Sequence, residues 1–149
     1  MKIRPATRSD APALMEIRMS VRENVISPER LEELAINEAS VASMLETTHC
    51  GHCAEVNGQV VGFAMADMES ASIWALFVRP EFEGIGIGAR LLDTALEVLW
   101  RAGHERVHLS TEPDTRAFRF YIRQGWRHVG FTSSGEAELE LLKPRRDPS

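Results

Sequence analysis

Two stretches of the chain carry residues whose types and spacing could do chemistry. In His49-Cys-Gly-His-Cys53, Cys50 and Cys53 have the i, i+3 spacing of a redox dithiol, and His49 and His52 add two more potential metal ligands. The run Gly84-Ile-Gly-Ile-Gly-Ala89 leads into an apolar periodic segment. The free amides of a helix start and the positive end of its dipole would make an anion site there.

The value of each stretch depends on the backbone that carries it. A redox Cys-x-x-Cys, as in the protein disulfide isomerase active site that Cys50–Cys53 resembles, lowers its thiol pKa at a helix N-terminus. Here the motif enters alternating, strand-like sequence. Extended residues three apart are separated by about 10 Å and point to opposite faces. A disulfide needs Cα atoms within roughly 7 Å. Two structural cysteines are the expectation, with metal affinity and redox catalysis as the alternatives.

The remaining elements follow from period and punctuation. "KIRPAT" alternates as a first strand, and Ser9 or Asp10 caps a helix over "APALMEIRMSVREN" with Leu14, Met15, Ile17 and Val21 on its apolar face. Ser27 and Pro28 start a second helix and "ASVASMLET" forms a third. "CAEV", the turn Asn57-Gly58, "QVVGFAMAD" and "ASIWALFV" read as a three-stranded antiparallel meander, since Asn-Gly suits a type I′ hairpin. A helix follows Gly84, Gly86 and Gly88, its stripe formed by Leu91, Leu92, Ala95, Leu96, Leu99 and Trp100, with Gly103 as its stop. "RVHLST" is a strand, "PDTRAFRFYIRQ" a helix capped by Asp114 and ended by Gly125, and "WRHVGF" and "AELELL" the last strands.

Three ligands compete for the glycine loop. A phosphate loop of the Walker type needs Gly-Lys-Ser/Thr, and Gly88-Ala-Arg90 excludes it. Gly84-x-Gly86-x-x-Ala89 matches a dinucleotide fingerprint, but "RPEFE" separates it from a strand that belongs to an antiparallel meander rather than a βαβ unit. The third ligand is the pyrophosphate of coenzyme A.

At this point the chain resembles the GNAT superfamily of N-acetyltransferases, over most of its length. "WALFVRPEFEGIGIGARLL" is similar to the family's acetyl-CoA block, and "LSTEPDTRAFRFYIRQGW" to its second block. Glu83 stands where the family prefers Arg or Gln, and Asp114 where Asn is usual. Phosphate binding would then rest on the backbone amides of Gly84, Ile85, Gly86, Ile87, Gly88 and Ala89.

The resemblance implies an α+β fold: a central, mostly antiparallel, splayed sheet of about six or seven strands flanked by about four helices. It implies acetyl-CoA as co-substrate, with no metal. Backbone groups at Phe77 and Val78 would face the pantetheine arm and acetyl carbonyl, and Asp114, Ala117 and Phe120 would line the cofactor. Tyr121, the sole tyrosine, matches the family's general acid, although periodicity alone would make it a core aromatic beside Ala117 and Phe120. Glu112 and Glu23 are the candidate bases, with His108 next. Arg18, Arg22, Asn24 and Trp74 are placed by analogy in an acceptor pocket, where arginine would suit a carboxylate or phosphate.

Composition bounds the rest. The chain has 149 residues, 44% of them hydrophobic, and a net charge of −5. One domain over residues 1–143 with a tail at 144–149 is expected. The acidic balance argues against nucleic acid as partner, and Arg116, Arg119, Arg123 and Arg127 read as a solvated helix face rather than an anion site. No apolar run reaches the roughly 20 residues of a membrane span. "MKIRPATRSD" lacks the pattern of a signal peptide, so no membrane and a cytoplasmic location are expected. The acceptor would be a small-molecule amine or peptide, and a homodimer is allowed on general frequency. The competing functions are a non-catalytic acyl-CoA sensor and a nicotinamide-dependent oxidoreductase.

Overall fold

The structure, a computed structural model, describes residues 1–145. The last four residues of the expected tail lie outside the described residues. The elements run β1 (Lys2–Pro5), α1 (Ala11–Ser20), α2 (Pro28–Glu33), α3 (Glu38–Thr47), β2 (His49–Val56), β3 (Gln59–Asp67), β4 (Ser72–Val78), α4 (Ile87–Arg101), β5 (Arg106–Thr111), α5 (Arg116–Arg123), β6 (Arg127–Phe131) and β7 (Ala137–Leu142). None of the helices described is long and apolar enough to cross a membrane.

One seven-stranded sheet in the order β1-β2-β3-β4-β5-β7-β6 organises the chain. Every neighbour pair is antiparallel except β4 and β5, which run parallel and meet at the single pair Ser72↔His108. The sheet is therefore two blocks hinged at one point, and β4 has an unpaired edge beyond Ser72.

Helices cover both faces because the strands of the meander are apolar on both. The α4 stripe, with Leu91, Leu92, Ala95 and Leu99 fully buried, packs on Ala54, Val61, Ala64, Val107 and Leu139. On the opposite face α1 and α3 bury Leu14, Ile17 and Val41 against Cys53, Phe63, Met65 and Ala75. At about 25 cal/mol per Å² of apolar surface removed from water, these layers dominate the folding energy.

Local signals act as their chemistry requires. Asn57 and Gly58 both take positive φ, 52° and 78°, the type I′ pattern that joins β2 to β3. Ser27 accepts a hydrogen bond from the Arg30 amide and starts α2 at Pro28. Cys53 is fully buried in the α1/α3 layer, and Cys50, on the other face of β2, is partly buried. Both thiols are free.

Four expectations need correction. Asp114 does not cap α5: it lies at φ 61°, and Thr115 accepts from the Phe118 amide instead. Gly88 does not precede α4 but sits in its first turn, which begins at Ile87. The segment 21–24 is not helical: α1 ends at Ser20, where consecutive polar Arg22, Glu23 and Asn24 interrupt the apolar period. Asp10 does not cap α1 through its side chain, because that carboxylate accepts from the Thr7 amide at 2.7 Å and from Arg4 at 2.8 and 2.9 Å. Arg4 also reaches Glu55 at 2.7 Å, tying β1 to β2 and to the turn before α1.

Candidate active site

The open edge of β4 is the first component of the site. The Arg79 amide donates to the Val61 carbonyl across the Gly62↔Val78 pair, so the N–H and C=O of Val78 itself point away from β3. They face the gap that β5 leaves. Earlier along β4, the pairs Met65↔Ala75 and Ala66↔Ile73 leave Trp74 without an opposite residue. That bulge brings Trp74 onto the α1/α3 side, edge-on to His49 at 5.4 Å.

The glycine loop follows. Gly84 (φ 79°) and Gly86 (φ 90°) hold left-handed conformations that cost an L side chain about 1–2 kcal/mol. Their turns point six successive amides, Gly84 to Ala89, away from any acceptor among the described residues. Ile87 is buried and anchors the helix start, whereas Ile85 is 68% exposed.

A cavity of about 550 Å³ lies over this loop. Its walls include Phe77, Val78, the glycines, Ala117, Phe120 and Tyr121. The Tyr121 ring is held edge-on between Phe120 and Trp126, with centroids 5.3 and 5.6 Å away. Burial pushes its phenol well above the ordinary tyrosine range, so it stays a proton donor at neutral pH.

Arg116 also lines this cavity. Its guanidinium is bound by Glu83 at 2.6 Å, and a Cβ on Gly84 would come within 3.5 Å of Nη2. Its backbone amide is bound by Glu23 Oε2 at 3.0 Å. The expectation of a solvated helix face therefore does not hold for this arginine. The detectable signal was the i, i+4, i+7 row Arg116, Phe120, Arg123, all three of which line the cavity. Arg119 bonds the Asp114 carbonyl and Arg127 bonds Glu140, both outside the site.

A second cavity, of about 440 Å³, opens between α1 and the β4/β5 junction. Phe77 lines both cavities and forms the wall between them. Arg18 and Trp74 line the second, together with His108. The expected acceptor residues Arg22 and Asn24 instead line the loop cavity, and Glu23 is there too, bound to the start of α5. Asp114 and Glu112 line neither cavity, although the Glu112 charge acts on Arg18. The His108 Nε2 donates to the Ser70 carbonyl at 2.9 Å.

The two cysteines are not part of this arrangement. Burial pushes the Cys53 thiol up to about 12 and also raises that of Cys50. That is the reverse of what a reactive dithiol needs. Among the described residues, no three His, Cys, Asp or Glu side chains gather as a metal-binding group.

A mixed sheet parted at one parallel junction, with a glycine-lined helix start at the mouth of the gap, defines the acetyltransferase class of α+β fold. The profile of the acetyltransferase (GNAT) family matches residues 11–126, and the chain belongs to that family. An uncharacterised N-acetyltransferase of Archaeoglobus fulgidus is 37% identical over 92 residues, covering 55% of this chain and 63% of the relative. Another, from Methanocaldococcus jannaschii, is 37% identical over 82 residues, covering 48% and 36%. The chain thus spans less than two thirds of the length of these curated relatives. Among solved structures, the PaiA N-acetyltransferase of Thermoplasma acidophilum in complex with coenzyme A superposes with a TM-score of 0.81 at 17% identity, covering 95% of this chain and 98% of that one. YncA of Salmonella typhimurium, solved with its cofactor acetyl-CoA, gives 0.78 at 19% identity, covering 100% and 97%.

Proposed function

We propose that this chain transfers an acetyl group from acetyl-CoA to a primary amine by direct attack. The observation that carries the reading is convergence. The outward-facing backbone of Val78, the loop residues Gly84, Gly86, Ile87, Gly88 and Ala89 with their free amides, and the Tyr121 ring border one cavity, which meets a second cavity at Phe77. Solved relatives of this fold hold coenzyme A or acetyl-CoA.

The pyrophosphate would lie on the loop amides, which need no reorganisation to receive it. Glu83 cannot donate to an anion, but it holds the Arg116 cation beside Gly84. The charge that the family places on the loop is supplied here from α5. Ala117 and Phe120 flank the pantetheine arm.

In the transfer step the neutral amine attacks the acetyl carbon and a C–N bond forms. The Val78 amide stabilises the oxyanion, the C–S bond breaks, and the Tyr121 phenol protonates the leaving thiolate. The nitrogen proton leaves through water to a base, and solvent restores the phenol. Desolvation that keeps Tyr121 protonated also raises the proton affinity of a thiolate formed beside it, so the transfer remains feasible. Of the base candidates, His108 borders the acceptor cavity and Glu112 lies near Arg18, whereas Glu23 is engaged by α5.

Calorimetric titration with acetyl-CoA, with NADH as control, tests the cofactor. Micromolar acetyl-CoA binding without NADH binding is expected; the reverse would return the oxidoreductase reading. In the Tyr121→Phe variant, kcat should fall at least tenfold with little change in acetyl-CoA affinity. An unchanged kcat removes Tyr121 from the mechanism, and binding without turnover of any amine leaves the sensor reading.

A further inference from the structure

Arg18 projects from α1 into the second cavity, whose other walls include Leu14, Met15, Ile26, Phe63, Met65 and Trp74. The guanidinium carbon lies 4.5 Å above the centroid of the Phe77 ring. Its Nη1 is buried without a hydrogen-bond partner, and no carboxylate among the described residues comes within ion-pair distance. The two other arginines among the described residues that are less than about a third exposed each have one: Arg4 pairs with Asp10 and Glu55, and Arg79 with Glu16. Glu112 favours the Arg18 charge from a distance but is itself exposed.

A half-buried guanidinium facing apolar walls loses hydration that a ring face only partly replaces. Such a group is built for an anion that arrives with a ligand, and its planar fork matches a carboxylate. Phe77 is also the wall shared with the cofactor cavity, so an anion held by Arg18 fixes the rest of its molecule beside the place where the acetyl group would enter.

We infer that the acceptor is a small amine carrying a carboxylate on an apolar body, with Arg18 as its counter-ion. This rests on the acetyltransferase reading above and specifies its acceptor. The cavity, at about 440 Å³, is of a size for a single small molecule. The cavity lining carries both signs of charge, Arg18 to meet the carboxylate and Glu136 as an acidic residue, which suits a zwitterion.

The test uses matched pairs: leucine against isoamylamine, phenylalanine against phenethylamine, and tryptophan against tryptamine. With saturating acetyl-CoA, kcat/KM for the carboxylated member of the best pair should be at least about tenfold higher. In Arg18→Met that ratio should fall to within about twofold of one, and Arg18→Lys, which keeps the charge but loses the fork, should fall between. Circular dichroism and acetyl-CoA titration of each variant separate loss of fold from loss of selectivity. A wild-type ratio at or below one, or a ratio that Arg18→Met leaves intact, overturns the inference. If no pair turns over, calorimetry of the coenzyme A-saturated protein decides: tighter binding of the carboxylated member supports the inference, and equal or absent binding overturns it. Those results leave acetyl transfer standing, whereas failure to bind acetyl-CoA removes both readings.

Discussion

Tyr121 shows how burial sets the pH range of a single side chain. Its phenol is held protonated above the usual tyrosine range by desolvation, so it remains an acid where a free tyrosine would ionise. The expected kcat profile rises with pH as base and amine lose protons and shows no alkaline decline near pH 10; a decline there that Tyr121→Phe abolishes would contradict this. Cys53 gives a second expectation. Its folded-state value of about 12 lies above the ordinary 9.0, so the unfolded chain releases this proton first as pH rises. Its contribution to stability is full below pH 9 and is lost as pH climbs toward 12. Native protein at pH 8 should leave Cys53 unlabelled by a thiol reagent and label Cys50 slowly, with both reacting in denaturant. The redundancy of the Cys50–Cys53 motif was legible in the sequence because strand geometry alone separates the two thiols. The role of Arg116 was not, because its meaning depends on Glu83, 33 residues away.

At the scale of elements, the start of α4 and the start of α5 are held against each other by Glu83 and Arg116. This ion pair is more than a third exposed on the arginine side, so it contributes at most about 1 kcal/mol to stability. Its consequence is orientation of a cation over Gly84. Arg116→Ala should weaken acetyl-CoA binding by about tenfold, with a shallower salt dependence than wild type, whereas Glu83→Gln, which removes a carboxylate from the loop and releases the Arg116 cation, should bind acetyl-CoA at least as tightly as wild type; titration at two ionic strengths measures both. Thr115→Ala removes the hydroxyl that caps α5 and should cost about 1 kcal/mol in chemical denaturation, while Asp114→Ala should cost less. The helix α4 was legible because its 3.6-residue period is unbroken for four turns. The α5 cap was misread because Asp114 and Thr115 are both good caps and only backbone conformation chooses between them. The Trp74 bulge left no trace in the alternation of β4, since both faces of that strand are apolar.

Across the whole molecule, the meander was readable from hairpin chemistry, and the sheet order beyond it was not. β7 inserts between β5 and β6, a long-range choice that local periodicity does not encode. The split at Ser72↔His108 is likewise a property of two strands diverging, and only the family resemblance anticipated it. Amides on the open edge of β4 beyond Ser72 should exchange with solvent faster than those of β3 and become protected on addition of acetyl-CoA; hydrogen exchange with and without the ligand measures this. At a concentration one hundred times its dissociation constant, acetyl-CoA should add about 2.7 kcal/mol to the unfolding free energy.

The same single bridge makes the chain separable. A break in the turn between Gly103 and Glu105 would leave β1–β4 with α4 on one fragment and β5–β7 with α5 on the other, sharing an apolar face but only one ladder pair. The loop cavity draws its floor from the first fragment and Arg116, Phe120 and Tyr121 from the second. Coenzyme A, with or without its acetyl group, would then act as a clasp that holds together two halves joined on their own by little more than one ladder pair.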